Sequence, residues 1–276
     1  MQGRDPELSP RYRFTGTGAA LASNRISYFF NMNGPSITFD TACSGSLVAI
    51  HAACQAIRYG EIRQALVGGA NLILDPERIS VMSSMDVLSD HGRCYAFDSR
   101  ADGFGRGEGV AAIVLKVLDD ALRDGDTIHA VIRGTAVNQD GRTPGIMVPS
   151  HSAQVKMICR AYQEADLDPR YTTYIEAHGT GTRMGDMIES SAINEVFSRD
   201  RPDDSPLYVG SVKTNVGHTE SAAGLVGLIK TVLVLENGVI PPNLNFGIAN
   251  PETSLDQLLI KVRMDETLLP TDSNFN

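Results

Sequence analysis

An α/β fold is the architecture this sequence predicts, and three observations predict it. Short β-branched and aromatic runs alternate with longer helix-like stretches along most of the 276 residues. The last helix-like stretch carries Gly224 and Gly227, which implies close helix-to-sheet or helix-to-helix contact. Polar, glycine-bearing turns follow strands at 41–45, 178–185 and 213–217. In layered α/β folds such strand ends converge on one functional face.

The elements follow in order. Ser36-Ile37-Thr38-Phe39-Asp40 reads as a buried strand, and further strands are expected at 64–68, 111–117, 129–137, 171–177 and 207–211. Helices are expected at 44–59, 152–165, 187–198 and 221–236. Ser150 can cap the second, and Asn237-Gly238 followed by Pro241-Pro242 stops the last. Alternation of this kind argues for buried sheets. No short repeat or low-complexity segment interrupts it. The start (Asp5, Pro6, Pro10) and the end (Thr271, Asp272, Ser273, Asn274) are polar and unpatterned.

Composition narrows the function classes. A net charge of −9, with no long basic run, disfavours nucleic-acid binding. Cys43, Cys54, Cys94 and Cys159 follow no framework spacing, so reduced thiols in the cytosol are expected. The most apolar stretch, 222–235, contains Lys230 and three glycines or threonines and falls short of a membrane span. His91-x-x-Cys94 lacks the second pair a metal site needs. Gly103-Phe104-Gly105-Arg106-Gly107-Glu108-Gly109 fails the dinucleotide register and precedes a strand.

The chemistry concentrates in the three turns. Cys43 sits between the expected strand and the helix Ser44-Gly45-Ser46-Leu47-Val48-Ala49, where free N–H groups and the helix dipole would lower a thiol's pKa. By itself such a cysteine is more often a small buried apolar residue. His178 lies in EAHGTGT and His218 in KTNVGHTE. Two neutral imidazoles can donate to one carbonyl oxygen, which suits a developing enolate. Asp186 and Glu189 form a D-x-x-E pattern that a capping box at the 187–198 helix would explain alone.

DTACSGSL (40–47), EAHGTGT and KTNVGH together resemble the β-ketoacyl synthase family in its polyketide synthase branch. FDSRADGFGRGEG (97–109), RGTAVNQDG (133–141) and GDMIE (185–189) agree, and the likeness to iterative reducing synthases of filamentous fungi is closest. The resemblance implies a thiolase-like, layered αβαβα architecture and decarboxylative Claisen condensation. Cys43 would accept an acyl chain from the phosphopantetheine arm of an acyl carrier protein, with no cofactor bound by the domain itself. His178 and His218 would act as neutral donors to the malonyl enolate, His178 nearer the decarboxylation. Lys213, Asp186 and Glu189 match a polar network holding the histidines, and Thr180 and Thr182 match positions that bond the pantetheine arm. Other synthase domains, and a homodimer of the full domain, are the further partners implied.

Family members carry a strand and helix upstream and an FGFGGTN-type segment downstream that supplies a second oxyanion N–H. Residues 1–276 therefore read as a partial ketosynthase domain, incomplete at both termini and expected to be poorly stable or inactive in isolation. A non-catalytic partner that binds carrier protein is disfavoured by the presence of Cys43, His178 and His218. A thiolase would need a second cysteine in a matching motif, and a cysteine hydrolase leaves KTNVGH without a purpose.

Overall fold

The computed structural model describes residues 11–202, 204–253, 255 and 260–269; the polar runs at 5–10 and 271–274 lie outside them. Among the described residues the helices are α1 (Arg13–Thr17), α2 (Ala20–Phe30), α3 (Gly45–Arg58), α4 (Pro76–Ser83), α5 (Leu118–Asp124), α6 (His151–Ala165), α7 (Arg183–Phe197), α8 (Lys213–Val216) and α9 (Ala223–Asn237). The strands are β1 (Gln64–Asn71), β2 (Gly109–Lys116), β3 (Tyr174–Glu176), β4 (Leu207–Gly210), β5 (Val239–Ile240), β6 (Ile260–Lys261) and β7 (Thr267–Leu268). No helix among them is long and apolar enough to cross a membrane.

Two apolar cores organise these elements. The parallel sheet β3–β4–β6 carries Ile175, Leu207, Val209 and Ile260 against Ile158 and Tyr162 of α6 and Ile193 and Phe197 of α7. The antiparallel ribbon β1–β2 packs Val67 and Ala111 against Ile50 and Cys54 of α3 and Leu225 of α9. Helix α9 joins the two. Its Gly224 lies so close to Leu47 of α3 that a Cβ there would collide, and a Cβ on Gly227 would come within 3.2 Å of Glu176 Cγ. The close contact expected of these two glycines is observed. Ser150 accepts the Ala153 N–H at the start of α6, and Gly238 ends α9 with φ of 64°, both as expected.

Two expected strands do not form. Residues 36–40 run without ladder partners, Ile37 is 60% exposed, and the segment is tied to α2 through Ser27–Ser36 and Ser23–Thr38 hydroxyl contacts. Residues 129–137 are likewise unpaired, held by Thr135 on His51 and by the Arg133 carbonyl on Arg58. A β-branched run makes a chain extend, but a ladder needs a neighbour, and none among the described residues reaches either segment. Buried sheets are also realised only in part. The ribbon's second face leaves Leu66, Val110 and Val114 open. Helices α1, α2, α4, α5 and α8 were not foreseen, and α2 buries no residue.

One buried carboxylate ties loops 95–100 and 245–248 together. Asp98 is fully buried and accepts the Arg100 side chain and the N–H groups of Arg100, Gly247 and Ile248. Burial pushes its pKa up, but the guanidinium and the three N–H donors outweigh this and hold it at about 2. Because the folded value lies below the unfolded one, Asp98 contributes its full stability above the ordinary carboxylate range and loses it as pH falls toward 2. We expect Asp98→Asn to cost roughly 2 kcal/mol near neutrality, with the gap from the native chain closing below about pH 4. Urea midpoints across a pH series check this; a gap independent of pH would contradict it.

Candidate active site

The cleft lies where the two cores meet. Cys43 stands in a 3-10 turn, Ala42–Ser44, that runs directly into α3. The residue before it, Ala42, has φ of 51°, a left-handed conformation that swings the thiol out of the helical path. His178 follows β3 by two residues, and His218 follows α8. The three expected turns do converge: Cys43 Sγ is 3.0 Å from His218 Nε2, and the rings of His178 and His218 meet edge to face with centroids 5.4 Å apart. His218 is buried, Cys43 half-buried, and His178 is reachable from solvent.

A backbone donor fixes the proton on His218. Glu220 N–H points at Nδ1 from 3.1 Å, so Nδ1 is an acceptor and a neutral ring carries its proton on Nε2. The ligand atoms of Cys43, His178 and His218 all lie within 4.8 Å of one another, close enough for one metal ion. A metal-bound histidine normally donates its remote N–H to a carbonyl or carboxylate. His218 has a donor there instead, which suits Nε2–H as a hydrogen-bond donor and works against it as a ligand.

The acidic pair does not form a capping box. Helix α7 begins at Arg183, four residues before the expected start, and Thr182 precedes it without a side-chain cap. Asp186 instead accepts the N–H groups of Phe97 and Gly181, at 2.7 and 3.2 Å. Glu189 accepts those of His178 and Gly179, at 2.7 and 2.8 Å. The two carboxylates thus hold the loop that carries His178. Thr180 is buried, with its hydroxyl 3.0 Å from that of Thr182. Lys213 is buried near the cluster, its pKa lowered by burial and raised back by Glu189, Glu176, Cys94 and Cys43.

The electrostatics favour neutral rings. Burial, with the Lys213 cation adding to it, lowers His218 to about 3. His178 is lowered well below the usual imidazole range by its protein surroundings, by Lys213 and by His218. The expectation for the thiol is overturned. Burial raises the Cys43 pKa above the ordinary 9.0, Glu220 adds to the rise, and Lys213 and Arg78 only partly offset it. A helix start was expected to lower it, but desolvation of the charged form dominates. Asp186, raised to about 7 by burial and by Glu189, follows the same logic.

The run 103–109 was rejected in the sequence as a dinucleotide site, and 97–109 carried family likeness alone; the segment 94–107 that overlaps them turns out to frame the site. Gly103 N–H donates to Gly181 O, His218 N–H to Gly105 O, and Gly107 N–H to His218 O. Phe104 packs edge-on against the His218 ring with centroids 4.9 Å apart, and Arg106 pairs with Glu220 at 2.8 Å. The signal available was its alternating glycines, four within the seven residues 103–109, a mark of close backbone approach.

Comparison with known proteins follows from this geometry. The family description "Beta-ketoacyl synthase, N-terminal domain" matches residues 2–121, and "Beta-ketoacyl synthase, C-terminal domain" matches 129–247. A highly reducing polyketide synthase of Aspergillus calidoustus (ausV) is 54% identical over 270 residues, 98% of this chain and 11% of that protein. One of Emericella nidulans (easB) is 55% identical over 259 residues, 94% of this chain and 10% of that protein. The ketosynthase from module 6 of the bacillaene synthase of Bacillus subtilis 168 superposes with a TM-score of 0.90 at 41% identity, covering 96% of this chain and 48% of that one. The chain thus spans about a tenth of its curated relatives and about half of the solved ketosynthase. The α/β, thiolase-like fold class is that of these ketosynthase domains.

A raised thiol and two neutral rings give a specific pH signature. We expect alkylation of Cys43 by iodoacetamide to climb with pH through and beyond 9, with no plateau near neutrality. Between about pH 5 and 8, NMR of His218 should show no protonation step, and His178 should titrate below the usual imidazole range. A thiolate already formed at pH 6, or an imidazolium signal from either ring at pH 7, would overturn this reading.

Proposed function

The chain belongs to the β-ketoacyl synthase family, and from that membership we propose that its cleft performs the decarboxylative condensation of polyketide chain extension. The observation that carries this reading is the 3.0 Å contact of Cys43 Sγ with His218 Nε2 beside a second neutral histidine, His178.

The cycle has two halves. The Cys43 sulfur adds to the carbonyl of an acyl thioester on the phosphopantetheine arm of an acyl carrier protein. Collapse of the tetrahedral intermediate expels the pantetheine sulfur, which leaves with the thiol proton, and the acyl chain rests on Cys43. A malonyl thioester then enters the cleft. Its carboxylate carbon leaves as carbon dioxide, and the bonding pair moves into an enolate whose negative charge gathers on the thioester oxygen. Nε2–H of His218 and an N–H of His178 donate to that oxygen. The enolate carbon attacks the acyl carbonyl, forms the new carbon–carbon bond and releases Cys43, which regains a proton.

Neutral donors serve this step better than imidazolium ions. A cation beside the malonyl carboxylate would stabilise the ground state as well as the transition state, whereas N–H dipoles aimed at the oxygen act where charge develops. Lys213 contributes by holding both rings neutral. Glu189 and Asp186 act as positioning residues through the loop N–H groups they accept. Thr180 and Thr182 are assigned to the pantetheine channel, and the four free thiols fit a reducing cytosolic setting. We further read residues 1–276 as part of a larger ketosynthase domain. The open apolar face of β1–β2 supports this, because a buried partner would cover Leu66, Val110 and Val114. Carrier protein, other synthase domains and a second copy are the partners this reading implies.

Intact-mass labelling with an acyl-thioester analogue is expected to add one acyl group to the native chain and none to Cys43→Ala. Malonyl-thioester decarboxylation should fall about 10²–10³-fold in His178→Ala and in His218→Ala, the loss typical of one oxyanion donor. Acylation that persists without Cys43, in this chain or in one with restored flanking sequence, would sink the assignment.

A further inference from the structure

Arg78, Glu220 and Arg106 form a charged cluster directly behind His218 that the condensing mechanism does not use. Glu220 is buried, with φ of 44°, and opens the 3-10 turn Glu220–Ala222 that leads into α9. One carboxylate oxygen, Oε1, accepts Arg106 Nη2 at 2.8 Å and Nε at 3.2 Å, while Oε2 accepts Arg78 Nη2 at 2.9 Å. The same residue's backbone N–H is the donor to His218 Nδ1. A non-glycine residue stays in the left-handed region only when its surroundings hold it there. Here the side chain is the part that is held.

We propose that Glu220, clamped by Arg106 and secondarily by Arg78, is a positioning residue that locks His218 in the Nε2–H tautomer by presenting its backbone N–H to Nδ1. This rests on the reading of His218 as an enolate-oxygen donor. The two arginines are unequal. Arg106 is 8% exposed and Arg78 is 60% exposed, so solvent weakens the second pair far more than the first. Arg106 is also fixed at both ends. Its backbone pairs with that of His218 in a parallel bridge, and its buried Nη1 makes no hydrogen bond among the described residues. Loss of Glu220 would therefore leave a buried cation without its partner, and the loop has strong reason to keep that contact.

The clamp links tautomer to charge pairing. With the carboxylate gone, the Thr219–Glu220 peptide is free to turn, Nδ1 loses its donor, and the ring's proton can settle on either nitrogen. Rings protonated on Nδ1 present a lone pair, not an N–H, to the enolate oxygen. Catalysis then falls with the fraction of misprotonated rings, while substrate binding is little changed.

The test reads the tautomer directly. Nitrogen-15 NMR of the histidine-labelled 276-residue chain, with His218 assigned by difference against His218→Asn, should show proton-bearing Nε2 and bare Nδ1. In Glu220→Ala the two nitrogens should move toward averaged shifts. Malonyl-thioester decarboxylation should lose about tenfold in kcat with KM little altered, less than removal of a whole donor costs. Arg106→Lys should recover most of the native tautomer, and Arg78→Ala should leave it nearly unchanged. Because Glu220→Ala strands a buried arginine and can fail to fold, the double variant Arg106→Leu/Glu220→Leu removes both charges together. A native chain with its proton on Nδ1, or a folded single or double variant that keeps a pure Nε2–H ring, would overturn the proposal. A tautomer that responds as expected in a chain that decarboxylates nothing would leave the clamp standing and strike only the condensing reading.

Discussion

The cleft depends on one constraint: backbone must lie against backbone where residues 94–107 pass beneath the two histidine loops. A Cβ on Gly103 would come within 2.5 Å of Leu88 carbonyl carbon, and one on Gly217 within 2.9 Å of Arg106 O. At Gly105 and Gly107 a side chain would likewise collide with the neighbouring main chain. Only because those side chains are absent can His218 N–H reach Gly105 O at 2.7 Å and Gly107 N–H reach His218 O at 2.9 Å. The histidine is thereby fixed by its own peptide groups, before its ring makes any contact. Asp98, Asp186 and the amides of Asn243 and Asn245 then tie the same segment to the 245–250 loop, to α7 and to the start of α8. Buried main-chain polar groups must find partners, and here they find them across loops distant in sequence.

That scaffold sets the electrostatics. Asp98 and Asp186 are both buried carboxylates that accept backbone N–H groups, yet one is held at about 2 and the other rises to about 7. Asp98 has a guanidinium fork against it, whereas Asp186 has two N–H donors, a neighbouring acid, Glu189, and the Lys213 cation acting only through space. The comparison shows how far burial raises a carboxylate that no cation bonds directly. The same desolvation acts on Cys43, His178 and His218, favouring a protonated thiol and neutral imidazoles. The three side chains that meet here are thus uncharged, while the nearby charges, Lys213 and the Glu220–Arg106 pair, stand behind them.

Much of this was legible in the sequence, and the reasons are local. Ser150, Gly238, Gly224 and Gly227 do what their chemistry dictates within a few residues of themselves, and so the helices α6 and α9 were placed to within two residues. The three polar turns do meet: two of them follow the paired parallel strands β3 and β4, while the Cys43 turn arrives after an unpaired extended segment. Pairing was not legible. Residues 36–40 have the composition of a strand, but composition cannot supply the neighbour that a ladder requires. Asp186 and Glu189 could be read as a cap because they stand three positions apart, as a capping box requires, while their partners at 97, 178, 179 and 181 lie outside any helix-start pattern. The raised Cys43 thiol was missed for a related reason. A helix terminus can be read from local sequence, but the depth of burial around it is a property of the whole fold.

Strain falls at both ends of the Cys43–His218 contact. Ala42, immediately before the cysteine, and Glu220, two residues after the histidine, are both non-glycine residues with positive φ. Each costs on the order of 1 kcal/mol relative to an ordinary conformation. The two sites are secured differently. Ala42 begins a 3-10 turn closed by Ser44 N–H and Oγ on Thr41 O, so a few local hydrogen bonds hold it. Glu220 is held by charges on two other segments, α4 and the 94–107 loop. The thiol's direction is therefore written into one short stretch of chain, whereas the imidazole's depends on the assembly of the fold around it. Of the two side chains, His218 is the one that a loosened fold would misplace first, and the 3.0 Å contact with Cys43 Sγ is lost through the histidine's side.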